Sequence, residues 1–372
     1  MKCIACGTNN SLRDRTQNRG LCKQCQHPFA FEPANMSGVK ITDRFFADAI
    51  ADISASGSLF FTFRQLLYIL DRRVKKVKIS DLEDDNFFFP LITSLITFAI
   101  CFGWGFLKEI DYPFFLAAIF GMVAYGISGA VAQLVNPGAG GTVTPEQLQE
   151  WIDAWQKVNQ PIEKLLPKPQ AENNTSTINR EISSYSFDRV VICEKDAIAQ
   201  LLIANNFHFE NNCAVLSANG YPQGIFNTVL QMLRRNSELK VYILHDASPQ
   251  GINLVRTIRT SSDWFGNQTV PIVDVGLLPR QFLSRFKVDV RISQANAVFA
   301  KQLPPIVLQT LTDKEVRWLQ AGKFVELESF TPSKIVNILH KGIAMSQNAA
   351  NSDNLLLNDA DTDYVYSVEN FG

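Results

Sequence analysis

Four of the seven cysteines fall within the first 25 residues, as Cys3-x2-Cys6 and Cys22-x2-Cys25 with fifteen residues between the pairs. Each Cys-x2-Cys turn sets two sulfurs on one side, and two such turns complete a tetrahedron around one zinc ion. A segment this short buries too little apolar area to fold alone, so the metal would supply its stability. The alternative is a pair of disulfides. The start MKCIACGTNN has no apolar core of a signal peptide, and a zinc site built of thiolates implies a reducing compartment. Cys101, Cys193 and Cys213 lie in apolar contexts and read as inert thiols. A second group of reactive side chains follows three apolar runs: Glu194-Lys195 after VVIC, Gly220-Tyr221-Pro222 after AVLSAN, and Asp246-Ala247-Ser248-Pro249-Gln250-Gly251 after VYILH. In an open parallel sheet ligands collect at the carboxyl ends of the strands, so Glu194 and Asp246 are expected to face one crevice. Two carboxylates on one edge suit magnesium, which takes oxygen ligands and keeps several waters. His245, beside Asp246, reads either as a proton-transfer group or as a satisfied histidine at a strand end.

The elements that must position these groups can be read from periodicity. Between 187 and 340 strand-like runs alternate with helix-like segments, which predicts an α/β fold, a parallel sheet covered by helices. Residues 40–85 carry apolar residues at helical spacing, among them Phe45, Phe46, Ala49, Ile50 and Ile53, then a Gly-Ser break and a second helix containing FRQLLYILDRR. Residues 86–107 and 112–145 hold no charged residue. A helix of roughly twenty residues reaches about 30 Å, the hydrocarbon thickness of a bilayer, so the stretch 87–135 predicts a two-span transmembrane hairpin. TPEQLQEWIDAWQKV predicts a helix capped by Thr144 with Pro145 first, its Trp151 and Trp155 on one face suited to a membrane surface. The expected organisation is a zinc ribbon (1–33), a winged-helix-like segment (40–85), the hairpin (87–135), a linker (136–186), the α/β domain (187–340) and a disordered acidic tail (341–372).

The order Glu-Lys, Gly-Tyr-Pro and Asp-x-Ser-Pro-x-Gly after successive strands resembles the Toprim fold. The form it resembles is shared by the meiotic double-strand-break transesterase and the related topoisomerase VI A subunit. IVDVGLLPRQF and LTDKEVRWLQAGKFVELESF, with Lys323 followed by Glu326-Leu327-Glu328, resemble later segments of that family, so the likeness covers about 187–340. FTFRQLLYIL resembles its winged-helix segment, whose tyrosine attacks a DNA phosphodiester. Position by position, the resemblance makes Tyr68 the nucleophile and Arg64 the preceding arginine. A tyrosine on an apolar helix is also a common core residue. The resemblance further implies a magnesium held by Glu194, Asp246 and Ser248, a catalytic part for Lys195 in offsetting phosphate charge, DNA as partner, a homodimer and a partner ATPase. Ser248 departs from the family, which has a second aspartate there. A hydroxyl brings no charge, so metal affinity should fall.

Charge nearly cancels, with 35 Lys+Arg against 36 Asp+Glu, which argues against a histone-like or wholly disordered chain. The balance is uneven: through residue 80 there are 13 basic and 6 acidic residues. The run Arg72, Arg73, Lys75, Lys76 and Lys78 would grip a duplex electrostatically, or would anchor the first span on its cytosolic side. With two spans, both termini are expected in the cytoplasm of a multi-pass cell-membrane protein. Two functions follow: a membrane-anchored, magnesium-dependent DNA strand transesterase or nuclease, or a degenerate Toprim-like nucleic-acid binder or scaffold at the membrane.

Overall fold

Four short apolar strands form the centre of the α/β part of the computed structural model. They are β1 (Arg189–Cys193), β2 (Cys213–Ser217), β3 (Lys240–Leu244) and β4 (Ile272–Asp274). They pair in the order β2-β1-β3-β4, all parallel. The structure describes residues 1–75, 143–169, 187–236, 239–265, 270–283 and 289–348.

Why these runs make a sheet buried on both sides is visible in their alternation. Successive side chains of a strand point to opposite faces. Val191, Cys193, Val215, Tyr242 and Leu244 enter one core, with Ile198, Leu202 and Leu319. Val190, Ile192, Leu216, Val241 and Ile243 enter the other, with Val229, Leu233 and Ile258. Burying each such aliphatic side chain stabilises the fold by roughly 1.5–3 kcal/mol, which makes the sheet a stiff platform. Cys193 and Cys213 are core thiols, and burial pushes both well above the ordinary thiol value. A two-stranded antiparallel pair, β5 (Arg291–Ile292) and β6 (Lys323–Phe324), lies beyond the sheet.

A separate core is built from the N-terminal part. Helix Asp43–Ile53 and the helical residues 63–75 pack Phe46, Ala49, Ile53, Leu66 and Leu70 against helix Pro145–Val158. Thr144 caps that last helix, as expected. Its tryptophan face has a different use from the one expected. Trp151 and Trp155 are buried, and Trp155 lies 5.2 Å from Phe46 and 6.3 Å from Phe31 between ring centroids. The amphipathic stripe is therefore occupied by protein and not by a membrane surface, because Phe31 and Phe46 supply the apolar partner. Backbone bonds from Phe61 to Lys164 and from Leu166 to Phe61 hold the start of helix 63–75. Asn205 brackets the Phe60 backbone at 2.8 and 3.0 Å and ties it to the end of helix Asp196–Ala204.

Two further expectations change. The hairpin 87–135 lies outside the described residues. Among the described residues no helix is long and apolar enough to cross a membrane. A charge-free apolar run carries the same signal in a buried helix as in a span, so the multi-pass placement, with its cytoplasmic termini, is withdrawn. Helix Pro332–Asn348 also runs into the stretch read as an acidic tail, because Ile335, Leu339 and Ile343 recur every fourth residue and bury in the sheet core.

Candidate functional site

The strand order reverses between β1 and β3: the chain passes from β1 to β2 on one side and returns to β3 on the other. The carboxyl ends flanking such a reversal leave a crevice between their outgoing loops. Cys193 and Leu244 end the two strands in register. Glu194 and Asp246, 52 positions apart in sequence, therefore meet there. The Asp246 backbone N–H donates to Glu194 Oε2 at 2.8 Å. Gly251 is required beside them, since a Cβ there would stand 2.4 Å from the Asp246 carbonyl and 2.7 Å from Glu194 Oε2.

The segment after β6 lies along the exit of β3. Ala247 and Val325 exchange backbone hydrogen bonds at 3.0 and 3.2 Å, and the Leu327 N–H donates to Asp246 Oδ1 at 2.7 Å. This carries Glu326 and Glu328 into the crevice. Lys195, the residue after Glu194, places its ammonium among them: 2.7 Å from Asp246 Oδ2, 2.6 Å from Glu326 Oε1 and 3.6 Å from Glu328 Oε2.

Helix 63–75 closes the other wall. Thr62 Oγ1 donates to Glu328 at 3.0 Å, and Gln65 Nε2 donates to the Phe330 carbonyl at 2.9 Å. Arg64 reaches Glu326 at 3.0 Å and Glu328 at 3.8 Å. One turn on, the Tyr68 hydroxyl donates to Glu326 Oε2, although 258 positions separate them. Tyr68 is 2 % exposed, and the Arg291 guanidinium lies 4.0 Å over its ring. The carboxylates form a buried floor, while Arg64 and Lys195 keep 49 % and 28 % of their side-chain surface open.

Electrostatics follow from this layering. Burial, then the Asp246 charge, pushes Glu194 up to about 7. Burial alone would raise Glu326, but the Lys195 charge, the hydrogen bonds from Lys195 and Tyr68, and Arg64 hold it below the usual carboxylate range. Burial would lower Lys195, but Asp246, Glu326 and Glu328 keep it firmly protonated. Burial and the adjoining Glu326 charge raise the Tyr68 phenol far above its ordinary value.

Behind the crevice, His245 is fully buried. Its Nε2 meets Asp274 Oδ1 at 3.0 Å and its Nδ1 meets the Asp246 carbonyl at 2.8 Å. With an acceptor at each ring nitrogen it is a satisfied histidine, and although burial opposes the charge, Asp274 raises it to about 9.

The other expected residues stand as follows. Ser248 caps helix Pro249–Thr260, its Oγ accepting from the Gly251 N–H at 3.0 Å. Arg72 donates to the Ser329 carbonyl at 2.9 Å, Arg73 pairs with Asp52, and Lys75 pairs with Asp71 at 2.6 Å. Lys76 and Lys78 lie outside the described residues. Cys3, Cys6, Cys22 and Cys25 converge, with Cys3–Cys25 and Cys6–Cys22 sulfurs 3.7 and 3.6 Å apart and all four ligand atoms within 4.8 Å of one another. Four sulfurs about 2.3 Å from a central zinc would be about 3.8 Å apart, so the cluster fits that ion. The Cys25 backbone N–H is the main cause that lowers the Cys22 thiol to about 6. Among the described residues the cysteines are the group whose metal-type ligand atoms converge in this way. In the crevice an ammonium stands among the carboxylates instead.

Sequence reasoning missed Arg291 and Asp274 and gave Glu326 no contact with Tyr68. The strand-end rule applied to IVD would have found Asp274. Nothing marks Arg291, on a two-residue strand.

Comparisons with known proteins support part of this picture. The chain resembles the meiotic recombination protein SPO11-4 of Oryza sativa subsp. japonica, 24 % identical over 165 residues, 43 % of this chain and 33 % of that protein. It resembles the meiotic recombination protein spo-11 of Caenorhabditis elegans at 30 % over 156 residues, 38 % and 36 % of the two chains. SPO11-1 of Oryza sativa subsp. indica is 33 % identical over 75 residues, 20 % of each. The chain thus spans about a third of the length of the first two relatives. These relatives are named for meiotic recombination, which also speaks against the cell-membrane placement expected from the uncharged runs. Residues 189–273, from β1 into β4, match the family described as the Toprim domain of Spo11 and the topoisomerase 6 A subunit.

Proposed function

We propose that the chain is a DNA strand transesterase of the topoisomerase VI A-subunit type, with Tyr68 as nucleophile. The observation that carries this reading is the shared carboxylate Glu326. It accepts from Tyr68 and Arg64 on one side and from Lys195, which also holds Asp246, on the other. A helix and a sheet edge read separately as nucleophile and acidic site are thereby joined. Arg64 and Lys195 are the cations on the crevice carboxylates and would take the phosphate, whereas Arg72, Arg73 and Lys75 are held by Ser329, Asp52 and Asp71. Glu194 and Asp246 would hold magnesium, with the Ser248 hydroxyl only as a neutral third ligand. Bound there, the ion would stabilise developing charge on phosphate oxygens. Zinc in the four-cysteine cluster would hold the N-terminal segment. The test is incubation of the full chain with supercoiled DNA and magnesium, alone and with a second copy or a partner ATPase supplied. Expected is a covalent protein–DNA adduct that Tyr68→Phe abolishes; its absence under all conditions ends the reading.

A second reading, a non-cleaving DNA-binding scaffold, is favoured by Ser248, whose hydroxyl is already used as a helix cap. Calorimetric titration with magnesium separates the two. Tight binding that Glu194→Gln removes supports the enzyme; no heat from the wild type supports the scaffold.

A further inference from the structure

A phenol attacking phosphorus must lose its proton, and Tyr68 is badly placed to lose it unaided. Burial and an adjoining anion both raise its proton affinity. A base must come within hydrogen-bond reach of the hydroxyl to take that proton. The Glu326 Oε2 atom does. The other acidic groups of the crevice are engaged elsewhere: Glu194 receives the Asp246 N–H, Glu328 receives Thr62 and Arg64, and Asp246 receives Lys195 and the Leu327 N–H. His245 is fully buried with both ring nitrogens occupied. Glu326 is also fixed for the task, its Oε1 held by Lys195 at 2.6 Å and its Oε2 by Arg64 at 3.0 Å.

We propose that Glu326 is the general base for Tyr68, an inference that rests on the transesterase reading above. As the Tyr68 Oη–phosphorus bond forms, the phenolic proton passes to Glu326 Oε2. The bond between phosphorus and the departing deoxyribose oxygen breaks, its electron pair stays on that oxygen, and the oxygen takes a proton from water. Glu326 then returns its proton to solvent, so the sum is a phosphotyrosyl ester and a sugar hydroxyl. Arg64 couples base and substrate. An entering phosphate draws its guanidinium away from Oε2, and the carboxylate gains proton affinity when the attack begins. Arg291, stacked on the ring, offsets the charge that the phenol oxygen develops.

The test uses the full chain, zinc-replete, with supercoiled DNA and magnesium. Glu326→Gln keeps shape and an acceptor oxygen but not basicity. Adduct formation should slow by about 100-fold or more, and its rate should climb about tenfold per pH unit while the wild type levels off. With DNA carrying sulfur in place of the departing oxygen, which leaves without a proton, the deficit should persist. In the free protein without metal, the difference in phenolate absorbance between wild type and Tyr68→Phe reports Tyr68, and Glu326→Gln should lower its midpoint. Glu326→Asp, which keeps the charge pairs, guards against a folding defect and should be slow yet retain the wild-type pH limb. A Glu326→Gln rate within about threefold of wild type overturns the inference and leaves the transesterase reading standing. So does a deficit that vanishes with the sulfur leaving group, an unmoved Tyr68 midpoint, or a Glu326→Asp rate that climbs with pH as Glu326→Gln is expected to. An adduct undiminished by Tyr68→Phe, or none from the wild type, overturns the reading and the inference together.

Discussion

The cysteine cluster and the acidic crevice both gather groups that repel one another when ionised, and they do so by opposite means. The four sulfurs come from 23 residues of chain and sit at spacings that suit one added ion. The crevice draws on Tyr68, Glu194, Asp246 and Glu326, and its carboxylates surround an ammonium that the chain itself provides. The first region would take its counter-charge from solution; the second carries its own. That difference predicts where each region is fragile.

The largest effect is expected at the cysteines. Structural zinc contributes about 10–16 kcal/mol in short zinc-binding segments. A zinc-selective chelator, or Cys22→Ser, should remove hydrogen-exchange protection from residues 1–33 while β1 and β2 keep theirs. Loss of protection in the sheet would break the contrast between a dependent and a self-sufficient region. Lys195→Met comes next, because it strands buried carboxylates without their partner, a change that costs about 3–5 kcal/mol. Urea unfolding should show it, and added magnesium should recover part of the loss. Gly276→Ala should follow, since its Cβ would stand 2.3 Å from the His245 ring. Overpacking of this kind costs about 1–3 kcal/mol, read as a lower thermal midpoint. The smallest effect is graded. His245, facing Asp274, the Asp246 carbonyl and the Glu194 charge, is raised from 6.5 to about 9. A raised imidazole contributes stability that is complete below 6.5 and is lost as pH rises through about 9. Unfolding measured across that interval should fall in the wild type and stay flatter in His245→Asn.

How legible each region was in the sequence follows the same contrast. The cysteine spacing is local, so a tetrahedron can be drawn from it directly. The strand runs were readable because burial on both faces leaves continuous apolar stretches, and the strand-end rule then puts Glu194 beside Asp246. Tyr68 and Arg64 were found through resemblance, since one turn of helix marks nothing by itself. Glu326 was visible as part of an acidic run, but its meeting with Tyr68 depends on how a helix near residue 68 packs against a loop near residue 326. Periodicity does not encode that. The tryptophan face of helix Pro145–Val158 failed for a related reason: amphipathicity says that a face is covered, not by what.

The close approach at Gly251 has a consequence for traffic into the crevice. With the helix backbone pressed against the Asp246 carbonyl and the Glu194 carboxylate, that side has no room for an incoming chain. Lys195 and Arg64 hold the remaining open side. Among the described residues, a group that reaches the floor meets these two cations, so the entrance selects by charge before the interior can select by shape. An anionic backbone is drawn in and a cation is turned back unless it arrives in the company of one. The crevice thus has a charge-selective entrance set by Arg64 at its wall and Lys195 among its carboxylates.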